Sequence, residues 1–236
     1  MTKLYAIAAL VFLLMGATLN AGAAGSRPEW HQERGLGAWR IRRWLRLGSR
    51  RQDPRKGWLH GVGGAASCVL VGHSYGGSII SEAGNDPNVA ALVYIAAFAL
   101  DEGDSCASIE QALPQASKAF KPDSNGSWWI EQEHFAADFA ADIPPAESHY
   151  MAISQVPIST DSFTHKVTSP AWKTKPTWYM VATADRSINP DQERMMAKRA
   201  HAKTVEVNAS HVAYMSHPKE TTKLIEEAAT SARANH

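Results

Sequence analysis

At 236 residues, with 44% apolar composition and two cysteines, the chain suits a single α/β domain around one core. A formal net charge of +1 excludes the broad basic or acidic field that draws a protein to nucleic acid or to a membrane surface. Two cysteines exclude a disulfide scaffold, and no cysteine and histidine set has zinc-ligand spacing, so no metal is expected.

The chain opens on Lys3 and an almost wholly apolar run over 4–19, closed by Ala21, Gly22 and Ala23. A charged start, an apolar middle and a small-residue end are the parts of a cleavable export signal, expected over 1–23. The run is short for a membrane span, so a secreted or periplasmic product is expected, with no stable membrane association after cleavage. An oxidising destination permits a bridge between Cys68 and Cys106, but Cys68 heads a buried strand and reads better as a packed thiol.

Residues 24–66 fit nothing around them. Arg27, Arg34, Arg40, Arg42, Arg43, Arg46, Arg50, Arg51 and Arg55 crowd there, with Trp30, Trp39, Trp44 and Trp58 between them. Neither the period of a strand nor that of a helix persists, which predicts an irregular segment of low order. A basic aromatic arm can grip anionic lipid or single-stranded nucleic acid, yet a disordered leader or a disrupted reading frame accounts for the composition better, and no nucleic-acid partner is expected. Back-translated and read one nucleotide later, 31–66 admits an apolar strand, an H-G turn, a helix pattern and a second strand. The single tryptophan codon forces a glycine in that shifted text at each of Trp39, Trp44 and Trp58.

From Cys68 the chain becomes regular, and 67–236 is expected to be the folded domain. An apolar strand from Cys68 to Val71 runs into Gly72-His73-Ser74-Tyr75-Gly76 and then into a helix stopped by Gly84, Asn85 and Pro87. A strand that turns this sharply into a helix strains the central residue and leaves room only for glycine two positions to either side, which is the build of a nucleophile elbow. Ser74 is the candidate nucleophile, the Tyr75 backbone N–H a candidate oxyanion donor, and His73 a residue that packs or orders the turn. The run 89–98 is continuously apolar, as in a strand covered on both faces.

Residues 101–169 are too long for a connection and carry their own helical stretches near 108–113 and 134–140, with turns at 122–126 and at Pro144-Pro145, so they read as a helical cap. Trp128, Trp129, Phe135, Phe139, Met151 and Phe163 give the cap an apolar side that can roof a pocket or pack on itself. A strand over 177–183 ends at Ala184 and Asp185; Asn189 and Pro190 then open a helix to Ala200. A short strand over 204–207 precedes His211, and a closing helix from about 216–218 buries Leu224, Ile225 and Ala228.

Ser74, Asp185 and His211 thus follow strands in α/β-hydrolase order, with a cap between nucleophile and acid. On V-L-V-G-H-S-Y-G-G, V-A-T-A-D-R and A-S-H-V-A-Y-M-S-H-P, the chain from Cys68 onward resembles the α/β hydrolases, and among them the small capped esterases related to plant methylesterases and hydroxynitrile lyases. The resemblance implies a mainly parallel sheet under a helical cap, with the N-terminal strands missing or disrupted in this chain. It also implies a Ser74, His211 and Asp185 triad acting on a small-molecule carboxylic ester without a cofactor. Asp101 and Asp104 are alternative acids; His134, His149, His165, His201 and His217 are expected on the surface or in the cap. Relatives that cleave cyanohydrins carry lysine after the histidine, where Val212 stands here, so lyase activity is not expected.

The family takes its second oxyanion donor from an H-G loop after an early strand. His60-Gly61 mimics it but lies too close to Ser74 to leave room for the intervening crossovers. The expected product is a serine esterase of impaired activity; the contrasting expectation is a non-catalytic exported binding protein on a degenerate hydrolase fold.

Overall fold

The computed structural model describes residues 8–11 and 68–234. Strands β1 (Ala8–Val11), β2 (Cys68–Ser74), β3 (Val89–Ala97), β7 (Thr177–Ala182) and β8 (Lys203–Val207) form one parallel sheet and lie in it in that order. Strands β1 and β2 run from Ala8 opposite Val69 to Val11 opposite Gly72. The stretch expected to serve as an export signal therefore supplies a strand, where the sequence offered none ahead of β2. The expectations for 24–66 lie outside the described residues, as does the rest of the stretch expected to be an export signal.

Period-two alternation sends the side chains of β3 and β7 to both faces of the sheet, which is why the run 89–98 is continuously apolar. Ala91, Val93 and Ile95 of β3 join Trp178, Met180 and Ala182 of β7 in a core closed by Leu224 and Ala228, while Leu92, Tyr94, Tyr179 and Val181 enter a second core with Ile80 and Met196. Both faces are buried because helices cover each. Helix α1, Gly76–Ala83, supplies Ile80, and α6, Pro190–Arg199, supplies Met196. After the short α7, Ala213–Ser216, helix α8, Pro218–Ala234, supplies Leu224 and Ala228, with Ile225 half-buried beside them. Asn189 caps α6 by accepting from the Asp191 N–H at 3.0 Å, ahead of Pro190 at the first turn.

The cap differs from the wholly helical one expected. It holds α2 (Cys106–Ala112), α3 (Gln132–Phe139), α4 (Pro145–Ile153) and the short α5 (Thr160–Thr164), but also β4 (Phe120–Pro122), β5 (Ser127–Ile130) and β6 (Ile158–Ser159) in an antiparallel sheet. These strands are two to four residues long, too short for alternation to show. Pro144-Pro145, read as a turn, is the cap and first residue of α4, where a proline's missing N–H costs nothing. Cys68 and Cys106 are both free thiols, Cys106 buried. Among the described residues no helix is long and apolar enough to cross a membrane.

Candidate active site

Ser74 ends β2 with φ 54°, a left-handed backbone in which a side chain larger than glycine's is strained. The turn is held by tight packing around it. A Cβ on Gly72 would lie 2.7 Å from the Gly76 carbonyl oxygen, and one on Gly77 2.7 Å from that of Phe98, so neither position admits alanine without movement. Tyr75 directly precedes α1, which places its backbone N–H at the start of the helix.

Asp185 and His211 occupy the loops after β7 and β8. His211 Nδ1 donates to Asp185 Oδ2 at 2.6 Å, and both side chains are essentially excluded from solvent. Asp185 Oδ1 accepts from the Ser187 N–H at 2.6 Å and the Ile188 N–H at 3.0 Å, which fixes the carboxylate. His211 Nε2 is buried without a hydrogen-bond partner among the described residues. An orienting carboxylate on one nitrogen and a bare second nitrogen is the arrangement a general base requires. Asp101 and Asp104, the alternative acids, are engaged elsewhere: Lys173 stands 2.7 Å from Asp101 and Arg199 2.8 Å from Asp104. His134, His149, His165 and His201 are exposed, and His217 pairs with the Ser216 hydroxyl.

Ser74 and His211 line one cavity of about 1010 Å³. Trp128, Trp129, Phe135, Phe139, Met151 and Phe163 of the cap all line it too, and Phe135 also packs in the core of the cap. Phe98 and Ile188 extend the apolar wall from the sheet side. Val212, beside His211, is fully buried in the cap's core with Ile130 and Phe135, a setting in which a lysine would be an unpaired charge.

Three supporting residues, Asp138, Asp142 and Glu193, carried no sequence signal, and a fourth, His73, was expected only to pack or order the turn. His73 donates through Nε2 to the His211 carbonyl oxygen at 2.8 Å, and its ring lies 4.6 Å from the His211 ring. Burial first, and then the charge that His211 can carry, push the His73 imidazole down to about 3, so it stays neutral. From the cap, Asp142 accepts from the Ser210 N–H at 2.8 Å and from its hydroxyl, tying down the loop that carries His211. Asp138 accepts from Arg186 at 2.7 Å, and its carbonyl accepts from the Ser187 hydroxyl at 2.9 Å, so the same cap segment holds the Asp185 loop. Glu193 is fully buried behind the acid, with Oε2 accepting from the Ala182 N–H at 3.1 Å. Burial, and next the charge of Asp185, raise its carboxyl well above the usual range, so Glu193 holds its proton beside Asp185.

Similarity to known proteins agrees with this architecture. The α/β hydrolase nvfD of Aspergillus novofumigatus is 27% identical over 187 residues, 70% of each chain. A pyrethroid hydrolase from Sphingobium faniae superposes with a TM-score of 0.59 at 23% identity, covering 84% of this chain and 76% of its own. A methylesterase from Arabidopsis gives a TM-score of 0.59 at 15% identity over 72% of each chain. The model of the alpha/beta hydrolase family matches residues 34–224, and the chain belongs to that family.

Proposed function

We propose that the protein is a carboxylic-ester hydrolase working by acyl transfer through Ser74. The observation that carries this reading is the buried Asp185–His211 pair with Nε2 unpartnered, in a histidine that lines the same cavity as Ser74. Ser74 Oγ attacks the ester carbon while His211 Nε2 takes its proton, and the Tyr75 N–H faces the oxygen that becomes negative. The tetrahedral species collapses as His211 returns that proton to the departing alcohol, leaving an acyl-Ser74. Water, deprotonated by the same nitrogen, then releases the acid and restores the hydroxyl.

The apolar lining favours an ester with a bulky apolar or aromatic part. The pyrethroid hydrolase and methylesterase likenesses support ester chemistry on this fold. Turnover is held low in this reading, because the second oxyanion donor of the family comes from an early H-G loop that the chain does not spell, and one lost donor costs about a hundredfold to a thousandfold. A fluorophosphonate probe tests the proposal: it labels the wild-type protein and spares Ser74→Ala, which also loses hydrolysis of p-nitrophenyl esters. Labelling that persists in Ser74→Ala would overturn it.

A further inference from the structure

The cavity contains a carboxyl that acyl transfer does not use. Glu110, on α2, lines the wall; its Oε2 accepts from the Gln115 N–H at 3.2 Å, while Oε1 is buried without a partner among the described residues. The cavity as a whole is lined largely by aromatic and aliphatic side chains, with Gln111, Gln115, Ser117 and Lys118 following Glu110 in the chain. Gln192, which packs beside α2, spends its amide on the carbonyls of Ile109 and Leu113 and so does not satisfy Glu110. A buried acceptor is costly to leave bare, and an occupant whose donor meets Glu110 as its side chain turns toward the cavity relieves that cost while an apolar one does not.

We propose that Glu110 selects substrates that carry a hydrogen-bond donor, a hydroxyl or amino group, on an otherwise apolar part of the ester; this rests on the ester-hydrolase reading above. Sites built around an unpaired polar group discriminate strongly against analogues lacking its partner, far more than an apolar pocket discriminates by size. Burial, opposed by the Gln115 N–H and assisted by the negative charge of Asp185, raises the Glu110 carboxyl to about 7. The anion therefore prevails at mildly alkaline pH, where Glu110 can only accept. The other ionisable groups lining the cavity are His73, Tyr75, Lys118, Glu147, Tyr150, His211 and Tyr214, and Cys106 lies one turn back on α2.

The test compares p-nitrophenyl esters of hydroxyphenyl-alkanoic acids of graded linker length with their ring-unsubstituted counterparts, at about pH 8.5. The wild-type protein is expected to favour the hydroxylated member of at least one pair by roughly tenfold to a hundredfold in kcat/KM. Glu110→Met brings that ratio close to one, and Glu110→Gln keeps part of it. Loss of folding depresses both members together, in which case the wild-type and Glu110→Gln ratios decide. A wild-type ratio near one at every linker length, or a preference that survives in Glu110→Met, overturns the proposal. If Ser74 takes no probe and neither ester turns over, the hydrolase reading has failed on its own. Thermal-shift titration of Ser74→Ala with the matching ketones then reads Glu110 directly, with hydroxylated ketones expected to bind at least tenfold tighter and equal binding overturning the proposal.

Discussion

His73 Nε2 donates to the main-chain carbonyl oxygen of His211 at 2.8 Å, so the residue before the candidate nucleophile fastens the loop that carries the candidate base. A carbonyl only accepts, which requires the proton on Nε2.

His73→Phe removes this donor and leaves a buried carbonyl unpaired, at a cost of about 1–3 kcal/mol at pH 8. The pH dependence has a definite sign. His73 is held down to about 3 in the folded chain, chiefly by burial, against an ordinary value of 6.5. Between those values the unfolded chain binds the extra proton, so this contribution is complete above about pH 6.5 and is lost as pH falls toward 3, at up to about 1.4 kcal/mol per pH unit. Urea midpoints at pH 8 and 5 should therefore fall more steeply with acid in the wild-type protein than in His73→Phe. Equal slopes would show that the ring does not stay neutral on folding.

Asp185→Asn keeps an oxygen for the Ser187 and Ile188 N–H groups but turns an amide donor toward His211 Nδ1. Nδ1 must then accept, the proton moves to Nε2, and the imidazole can no longer take one from Ser74. Turnover of a p-nitrophenyl ester should drop by about 10⁴-fold with little change in melting temperature. Near-normal kcat in the Asp185→Asn variant would remove Asp185 from the proposed machinery.

Glu193→Gln tests the proton stored behind Asp185. Burial and the adjacent Asp185 charge raise the Glu193 carboxyl well above its ordinary 4.5, so the folded chain keeps a proton that the unfolded chain releases. Its contribution is complete below pH 4.5 and declines as pH rises through the raised folded value. Glutamine retains an oxygen for the Ala182 N–H and carries no such penalty. The stability of Glu193→Gln relative to wild type should increase from pH 5 to pH 9 in chemical denaturation, and a pH-independent difference would mean that Glu193 is already ionised in the fold.

The central strands and the elbow were legible in the sequence because they depend on local patterns: the two-faced apolar run that became β3, the strand over 177–183 that became β7, and the glycines at 72 and 76 that crowd each other in space. Ser74, Asp185 and His211 stood out as candidates because each comes at or soon after the end of a strand. The supports did not. Asp138 and Asp142 sit at the end of α3 and just beyond it, ordinary acidic positions whose partners, Arg186 and Ser210, are 48 and 68 residues away in the chain. Glu193 reads as a helix-capping charge in the first turn of α6 until burial against Asp185 is seen. The cap sheet escaped because β6 has only two residues, and its pairing with β5 depends on a long-range contact.

Gly72→Ala separates elbow geometry from global stability. The added methyl meets the Gly76 carbonyl oxygen at 2.7 Å and the Gly77 nitrogen at 2.9 Å, backbone atoms that move only with the start of α1. Overpacking of this kind costs about 1–3 kcal/mol, which leaves a stable domain largely folded. Because the displaced atoms are those of the turn that carries Ser74 and Tyr75, an ångström of movement should slow the chemistry by about a hundredfold. Fluorophosphonate labelling rate, measured beside the melting temperature, checks this: labelling should fall much further than the folded fraction does. Loss of labelling in proportion to unfolding would mean that Gly72 serves packing alone.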